Sequence, residues 1–173
     1  NIELFEEVSA VIDYAGEGIG LYRTEYSYLY RSELPSEQEL VEEYRDLASI
    51  LYPRRVIIRT LDAGGDKIGK GFEQLEESNP VLGLRAVRFC LRHKEIFKAQ
   101  LRAILRASQI GNISMMFPMI SGLSELREAK SVLEETKDEL REEGLKFDVA
   151  MPAGLMIELP SAVMIADILA REV

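Results

Sequence analysis

Four short apolar runs, at residues 18–24, 56–61, 113–120 and 153–158, alternate with longer stretches of helical periodicity. Strand and helix in alternation imply parallel strands joined by helical crossovers. The runs agree with this: VII, ISMMF and GLMI are apolar without strict alternation, as strands covered on both faces are. A further strand remnant is expected at Ile2–Leu4. The clearest helix follows Pro35, where Ser36 and Glu39 give the S-x-x-E pattern of a capping box. Behind it Leu40, Val41, Tyr44, Leu47, Ala48 and Leu51 fall on one face. The spacing predicts further helices over 82–92, with Asn79 and Pro80 as its opening, and over 95–107, with Phe97, Leu101, Ile104 and Leu105 inward. Another is predicted over Ser124–Glu143, with Leu126, Ala129, Val132, Leu133 and Leu140 inward and Gly144 as its stop, and a last one over 161–171. Two α/β architectures satisfy this order: an open doubly wound sheet and a (β/α)8 TIM-type barrel. With about five of the eight strands such a barrel needs, the second would be incomplete.

The 173 residues, 47% of them hydrophobic, suffice for one domain with a sizeable core. A formal charge of −9 argues against general binding to nucleic acid or anionic membranes. An anionic ligand would need a local cluster of Arg and Lys. No apolar run approaches the ~20 residues of a membrane span. The single cysteine, Cys90, excludes an intrachain disulfide and is compatible with a reducing cytosol. The chain starts without Met on NIELFEEV and stops at ILAREV, so it reads as a piece of a longer protein, cut at both ends.

The apolar runs repeatedly end on charge: GLYRTE at 20–25, VIIRTLD at 56–62 and GLMIELP at 154–160. In a barrel, functional side chains sit where strands end. Arg23 and Arg59 offer forked donors for carboxylate or phosphate; salt bridges to Glu25 or Asp62 would explain them equally well. Glu158 is either one oxygen ligand of Mg²⁺ or a carboxylate paired with an arginine at the core edge. The glycine-rich stretch 62–71 brings Lys67 to a strand exit. It nearly matches a nucleotide P-loop through Gly64, Gly69 and Lys70, but Gly71 stands where the metal-binding hydroxyl belongs, so it reads as a surface loop. Arg85, Arg88 and Arg92 are spaced to share a helix face, which for Arg88 and Arg92 is a solvated one. Cys90 and His93 lie three apart with no third group to orient them, so Cys90 reads as a buried structural thiol. Met115, Met116 and Met119 read as packing.

Taken in order, GEGIGLYRTE, RTLDAGGDK, NPVLGLRAVR, LRAILRAS, MMFPMI and MIELPSA make a specific set. It resembles the phosphoenolpyruvate-binding barrel of enzyme I, the phosphoenolpyruvate–protein phosphotransferase family of the bacterial sugar phosphotransferase system. The resemblance covers essentially all of residues 1–173. It implies that the chain is the N-terminal part of that TIM barrel. Arg23 and Arg59 would grip phosphoenolpyruvate, Lys67 and Arg85 would line the site, and Glu158 would hold Mg²⁺. It also implies a cytoplasmic parent protein that dimerises and passes its phosphoryl group to a histidine-containing phosphocarrier protein. The family's phosphorylated histidine and enolate-protonating cysteine match neither His93 nor Cys90, so no catalytic residue is expected here. Its second metal carboxylate, an adjacent asparagine and a later arginine would lie beyond Val173. Alone, the chain is expected to be inactive. Pyruvate phosphate dikinase and phosphoenolpyruvate synthase share the barrel and the RTE signal and stand as alternatives. A non-catalytic binding or assembly module is the third.

Overall fold

In the computed structural model, residues 1–29, 31, 33–64 and 83–173 are described. Lys67, the P-loop-like Gly69–Gly71 and the Asn79–Pro80 helix opening lie outside them. The first helix, α1 (Val8–Asp13), had no sequence signal: it is short and buries only Val8. β1 (Gly18–Arg23) follows, then α2 (Glu37–Leu51) and β2 (Arg55–Arg59). The chain continues through α3 (Ala86–Arg92), α4 (Lys94–Ala107), β3 (Ile113–Phe117), α5 (Leu123–Glu142) and β4 (Ala153–Leu155). It closes with α6 (Pro160–Met164) and α7 (Ala166–Leu169).

α2 starts where its cap requires. Glu39 N–H donates to Ser36 Oγ at 3.3 Å, and Ser36 N–H donates back to Glu39 Oε2 at 2.8 Å. The bond from Ser36 holds the Glu39 carboxyl down at about 2. All six apolar residues expected on one face of α2 are buried. α5 ends in a Schellman turn: Gly144 takes φ 70°, and Leu145 N–H donates to Leu140 O at 2.9 Å. The last helix is not continuous. Ile165 leaves helical angles and its N–H bonds three residues back, to Ala162 O, which splits the segment into α6 and α7.

β1, β2, β3 and β4 pair in that order, all parallel. Among the described strands the order never reverses, and reversal is the mark of a doubly wound sheet. Right-handed crossovers between successive strands then put the helices on one face. Tyr22 meets Tyr44 of α2 edge-on at 6.3 Å, and Phe97 of α4 meets Phe117 at 6.1 Å on that face. The sheet does not close among the described residues: β4 is one edge, and β1 is flanked only by a parallel bridge at Ile2, the expected strand remnant. Gly18 is required at the start of β1, where a Cβ would stand 2.4 Å from the Arg55 carbonyl oxygen.

All four strands stop short of their apolar runs. Leu61 and Ile120, expected in strands, sit fully buried in the exit segments. The loops that leave β1, β2 and β3 are therefore packed into the core, and this fixes what they carry.

Candidate functional site

Arg59 ends β2 on the sheet face opposite the helices, in a row with Arg23, Met116 and Gly154. Its side chain is only 10% exposed and is held from two sides: one terminal nitrogen lies 2.9 Å from Glu25 Oε1, the other 3.0 Å from Asp62 Oδ2. Asp62 N–H also donates to Glu25 Oε1, at 3.0 Å. Asp62 in turn accepts from Arg85 at 2.8 Å, so one carboxylate bridges two arginines. Arg59 also reaches across β3 to lie 3.8 Å from Met156 Sδ, just past the end of β4 and two residues before Glu158.

The formal charges of Arg59, Arg85, Glu25 and Asp62 cancel. Burial pushes the Glu25 carboxyl above its ordinary value, and the Arg59 charge offsets only part of that. Glu25 Oε2, Arg59 Nε and Thr60 Oγ1 are buried without a protein partner. The cluster thus keeps hydrogen-bonding capacity beyond its internal ion pairs.

The elements behind the cluster account for its geometry. Thr24 Oγ1 donates to Arg59 O at 3.0 Å, which links the β1 and β2 exits. Glu25 opens a 3₁₀ turn, Glu25–Ser27. On the far side of this turn Glu43 of α2 accepts from Ser27 Oγ at 2.8 Å and from Tyr22 OH at 2.7 Å. Arg85 does not share a helix face with Arg88 and Arg92, as its spacing had predicted. It caps α3 in an extended conformation, bridged antiparallel to Gly64, with Ala86 N–H donating to Ala63 O at 3.1 Å. That tie turns Arg85 back to Asp62. The price is a left-handed φ of 51° at fully buried Ala86. Arg88 pairs with Glu125 at 3.0 Å instead of being solvated.

The other expected site residues are placed differently. Arg23 shares the sheet row of Arg59, but its guanidinium turns to the sheet edge, 3.2 Å from Asn1 Oδ1 and 3.7 Å from Glu3, and is 41% exposed. Glu158 is exposed rather than buried at a strand end, because β4 stops at Leu155. One of its oxygens accepts from Met119 N–H at 2.7 Å. Met119 holds a left-handed φ of 57° there. Cys90 is fully buried, its Sγ 4.0 Å from Leu61 O. Burial, and then the charge of Asp62, pushes its thiol up to about 12. The His93 ring packs on Phe89 at 4.5 Å, so the two do not form a nucleophile–base pair. Met115 and Met119 are buried and Met116 is half-buried, as packing residues should be.

The sequence reading passed over Gln100, Thr24 and Glu43. A Gln on the inward face of α4, among Phe97, Leu101 and Ile104, was the available signal.

A parallel sheet carrying an arginine–carboxylate cluster at its strand exits defines an α/β domain with a charged site at one end. The family follows from the whole length of the chain: residues 1–173 match the PEP-binding domain of the PEP-utilising enzymes, PEP being phosphoenolpyruvate, and the chain belongs to that family. It is 44% identical to the phosphoenolpyruvate-protein phosphotransferase of Priestia megaterium, 45% to that of Staphylococcus carnosus and 43% to that of Staphylococcus aureus. Each match covers all 173 residues of this chain and 30% of the relative, so the chain spans about 30% of the length of these curated relatives.

Proposed function

We propose that this chain is part of a phosphoenolpyruvate–protein phosphotransferase, which moves the phosphoryl group of phosphoenolpyruvate to a histidine of the same protein. The observation that carries this is the β2 exit, where Glu25 and Asp62 hold Arg59 inside a family-typed domain. In this reading the four strands begin a (β/α)8 barrel, residues 1–173 are its N-terminal part, and the cluster faces the barrel's mouth.

Phosphoryl transfer asks the protein for positioning and for neutralisation of charge. Arg59 supplies both. Its fork is pre-aimed by two carboxylates, so little side-chain freedom remains to be lost when a phosphate arrives. Because the resting cluster is neutral, a phosphate must draw Arg59 partly away from Glu25 or Asp62. Arg23, half-exposed at the edge of the same row, would swing from Asn1 and Glu3 to close on the anion. Arg85, paired with Asp62, lines the site, and the family resemblance assigns Lys67 to it as well.

Glu158 offers an exposed carboxylate fixed by Met119 N–H, a donor type that suits Mg²⁺. Among the described residues no group of three acidic, His or Cys side chains is placed to hold a metal ion, so Glu158 would contribute one ligand beside substrate oxygens, water and groups outside this chain. Bound there, Mg²⁺ would neutralise charge on the phosphate and the leaving enolate. The same reading takes a histidine-containing phosphocarrier as protein partner, a homodimer as assembly, sugar uptake as the process served and the cytoplasm as the compartment. Among the described residues no helix is long and apolar enough to cross a membrane.

The test is to incubate the full-length protein with phosphoenolpyruvate labelled in its phosphoryl group, with Mg²⁺. Acid-labile, base-stable label on a histidine other than His93 is expected, and its loss in Arg59→Met. No label in the wild-type protein, or label on His93, would contradict the proposal.

A further inference from the structure

Gln100 is a polar residue on the inward face of α4, 1% exposed, at a position where the helix otherwise buries apolar side chains. A buried amide is costly unless its donors and acceptor are used. Here they are used on three different elements. Gln100 Oε1 accepts from Leu61 N–H at 2.9 Å. Gln100 Nε2 donates to Thr24 Oγ1 at 3.0 Å and to Tyr44 OH of α2 at 3.3 Å. Leu61, Thr24 and Tyr44 are themselves fully buried.

The placement of these partners is the informative part. Thr24 is the residue before Glu25, and Leu61 is the residue before Asp62. Glu25 and Asp62 are the two carboxylates that hold Arg59. One amide therefore holds the Thr24 hydroxyl and the Leu61 backbone N–H, on the residues immediately upstream of both, while that hydroxyl carries the link on to the Arg59 carbonyl. A hydrophobic residue of similar size would fill the same space but leave the two exits without the amide's link, tied by the Thr24–Arg59 and Asp62–Glu25 bonds, and so more able to shift relative to each other.

We propose that Gln100 is a positioning residue for the strand-exit cluster: it sets the spacing of the β1 and β2 exits, and through them the aim of the Arg59 fork. This rests on the reading of Arg59 as the phosphate anchor. Gln100 touches no ligand. Its effect is on how well formed the fork is before the anion arrives, where small misplacements are expensive.

The test uses the full-length protein and two variants, Gln100→Met and Thr24→Val, which break the same link from opposite ends. Thr136→Val is the control for destabilisation alone: Thr136 is buried in α5 and its hydroxyl donates to Val132 O of its own helix. Two quantities are measured: KM and kcat for phosphoenolpyruvate, and hydrogen exchange at Asp62 N–H, the amide bonded to Glu25. Destabilisation alone reduces the active fraction, so it lowers apparent kcat and leaves KM in place. Misaiming Arg59 raises KM. The expected result for Gln100→Met is a loss of roughly 10- to 100-fold in kcat/KM with a clear rise in KM, and faster exchange at Asp62 than global unfolding accounts for. Thr24→Val should show the same pattern more weakly, with the two variants less than additive when combined. If Gln100→Met does not fold, Thr24→Val decides. An unchanged KM together with unchanged Asp62 protection overturns the proposal. A wild-type protein that does not use phosphoenolpyruvate overturns the functional reading instead, and Asp62 exchange still judges the positional link.

Discussion

Arg59 and Arg23 stand side by side in one row of the sheet and live in opposite surroundings. Arg59 is buried, gripped by two carboxylates and tied through Thr24 and Gln100 to the helix layer. Arg23 lies at the sheet edge, half-exposed, with one long ion pair and one side-chain amide as partners. The exit of β4 resembles the second case: Glu158 is exposed and fixed by a single backbone N–H. In the proposed reading, one part of the candidate site is built before any ligand arrives, and the other part is left to be organised by what binds. The same residue type at equivalent positions can thus be a rigid anchor or a movable arm, depending on what packs behind it.

The comparison can be broken most severely at its rigid end. Arg59→Met in the full-length protein should lower kcat/KM for phosphoenolpyruvate by roughly 10³-fold or more, the scale of a transition-state arginine. It should also cost about 3–5 kcal/mol of stability, because Glu25 and Asp62 are left buried and short of a partner. Steady-state kinetics and denaturant unfolding check the two effects separately. Arg23→Met is the contrasting case. Its exposed pair is worth about 0–1 kcal/mol, so the unfolding midpoint should hardly move. Phosphoenolpyruvate affinity should still fall roughly tenfold, as for one lost charge-assisted contact. Equal destabilisation by both variants would erase the distinction.

Glu158→Gln sharpens the comparison from the other edge. The Mg²⁺ concentration giving half-maximal activity should rise by roughly tenfold or more, with stability unchanged, since the residue is exposed. The smallest effect concerns Glu25. Burial holds its carboxyl above the ordinary value of 4.5 despite Arg59, so the folded chain binds that proton more tightly than the unfolded chain does. Its favourable contribution is complete below the unfolded value and is lost as pH rises through the raised folded value. Glu25→Gln should therefore flatten the decline of stability with pH that lies between the unfolded value and the raised folded value. Thermal unfolding from about pH 5 to about pH 8 would show it, and identical slopes for variant and wild type would refute the shift.

Much of this was legible in the sequence because it rests on local rules. The Ser36–Glu39 cap, the six-residue apolar face of α2, the α5 stripe with its Gly144 stop and the strands ending on Arg23 and Arg59 all follow from periodicity and capping. The ion-pair account of Arg59 was visible as an alternative, since Glu25 and Asp62 were both within reach. The sequence could not say that Arg59 holds both carboxylates while Arg23 turns away, because that depends on the edge position of β1. Arg85 was misplaced on a helix face because its conformation is set by Gly64 and Ala63, more than 20 residues earlier. Gln100 was missed because its partners lie on three other elements, and no spacing rule connects them. The break at Ile165 likewise left no periodic trace.

The most direct test of the central claim, that Arg59 is the preformed anchor and Arg23 the movable arm, is calorimetric titration of phosphoenolpyruvate with Mg²⁺ into full-length wild type, Arg59→Lys and Arg23→Lys. Lysine keeps the charge and removes the fork. The account predicts that Arg59→Lys loses at least about tenfold more affinity than Arg23→Lys, since only Arg59 has a fork held in place for the phosphate. Equal losses, or a larger loss at Arg23, would contradict it.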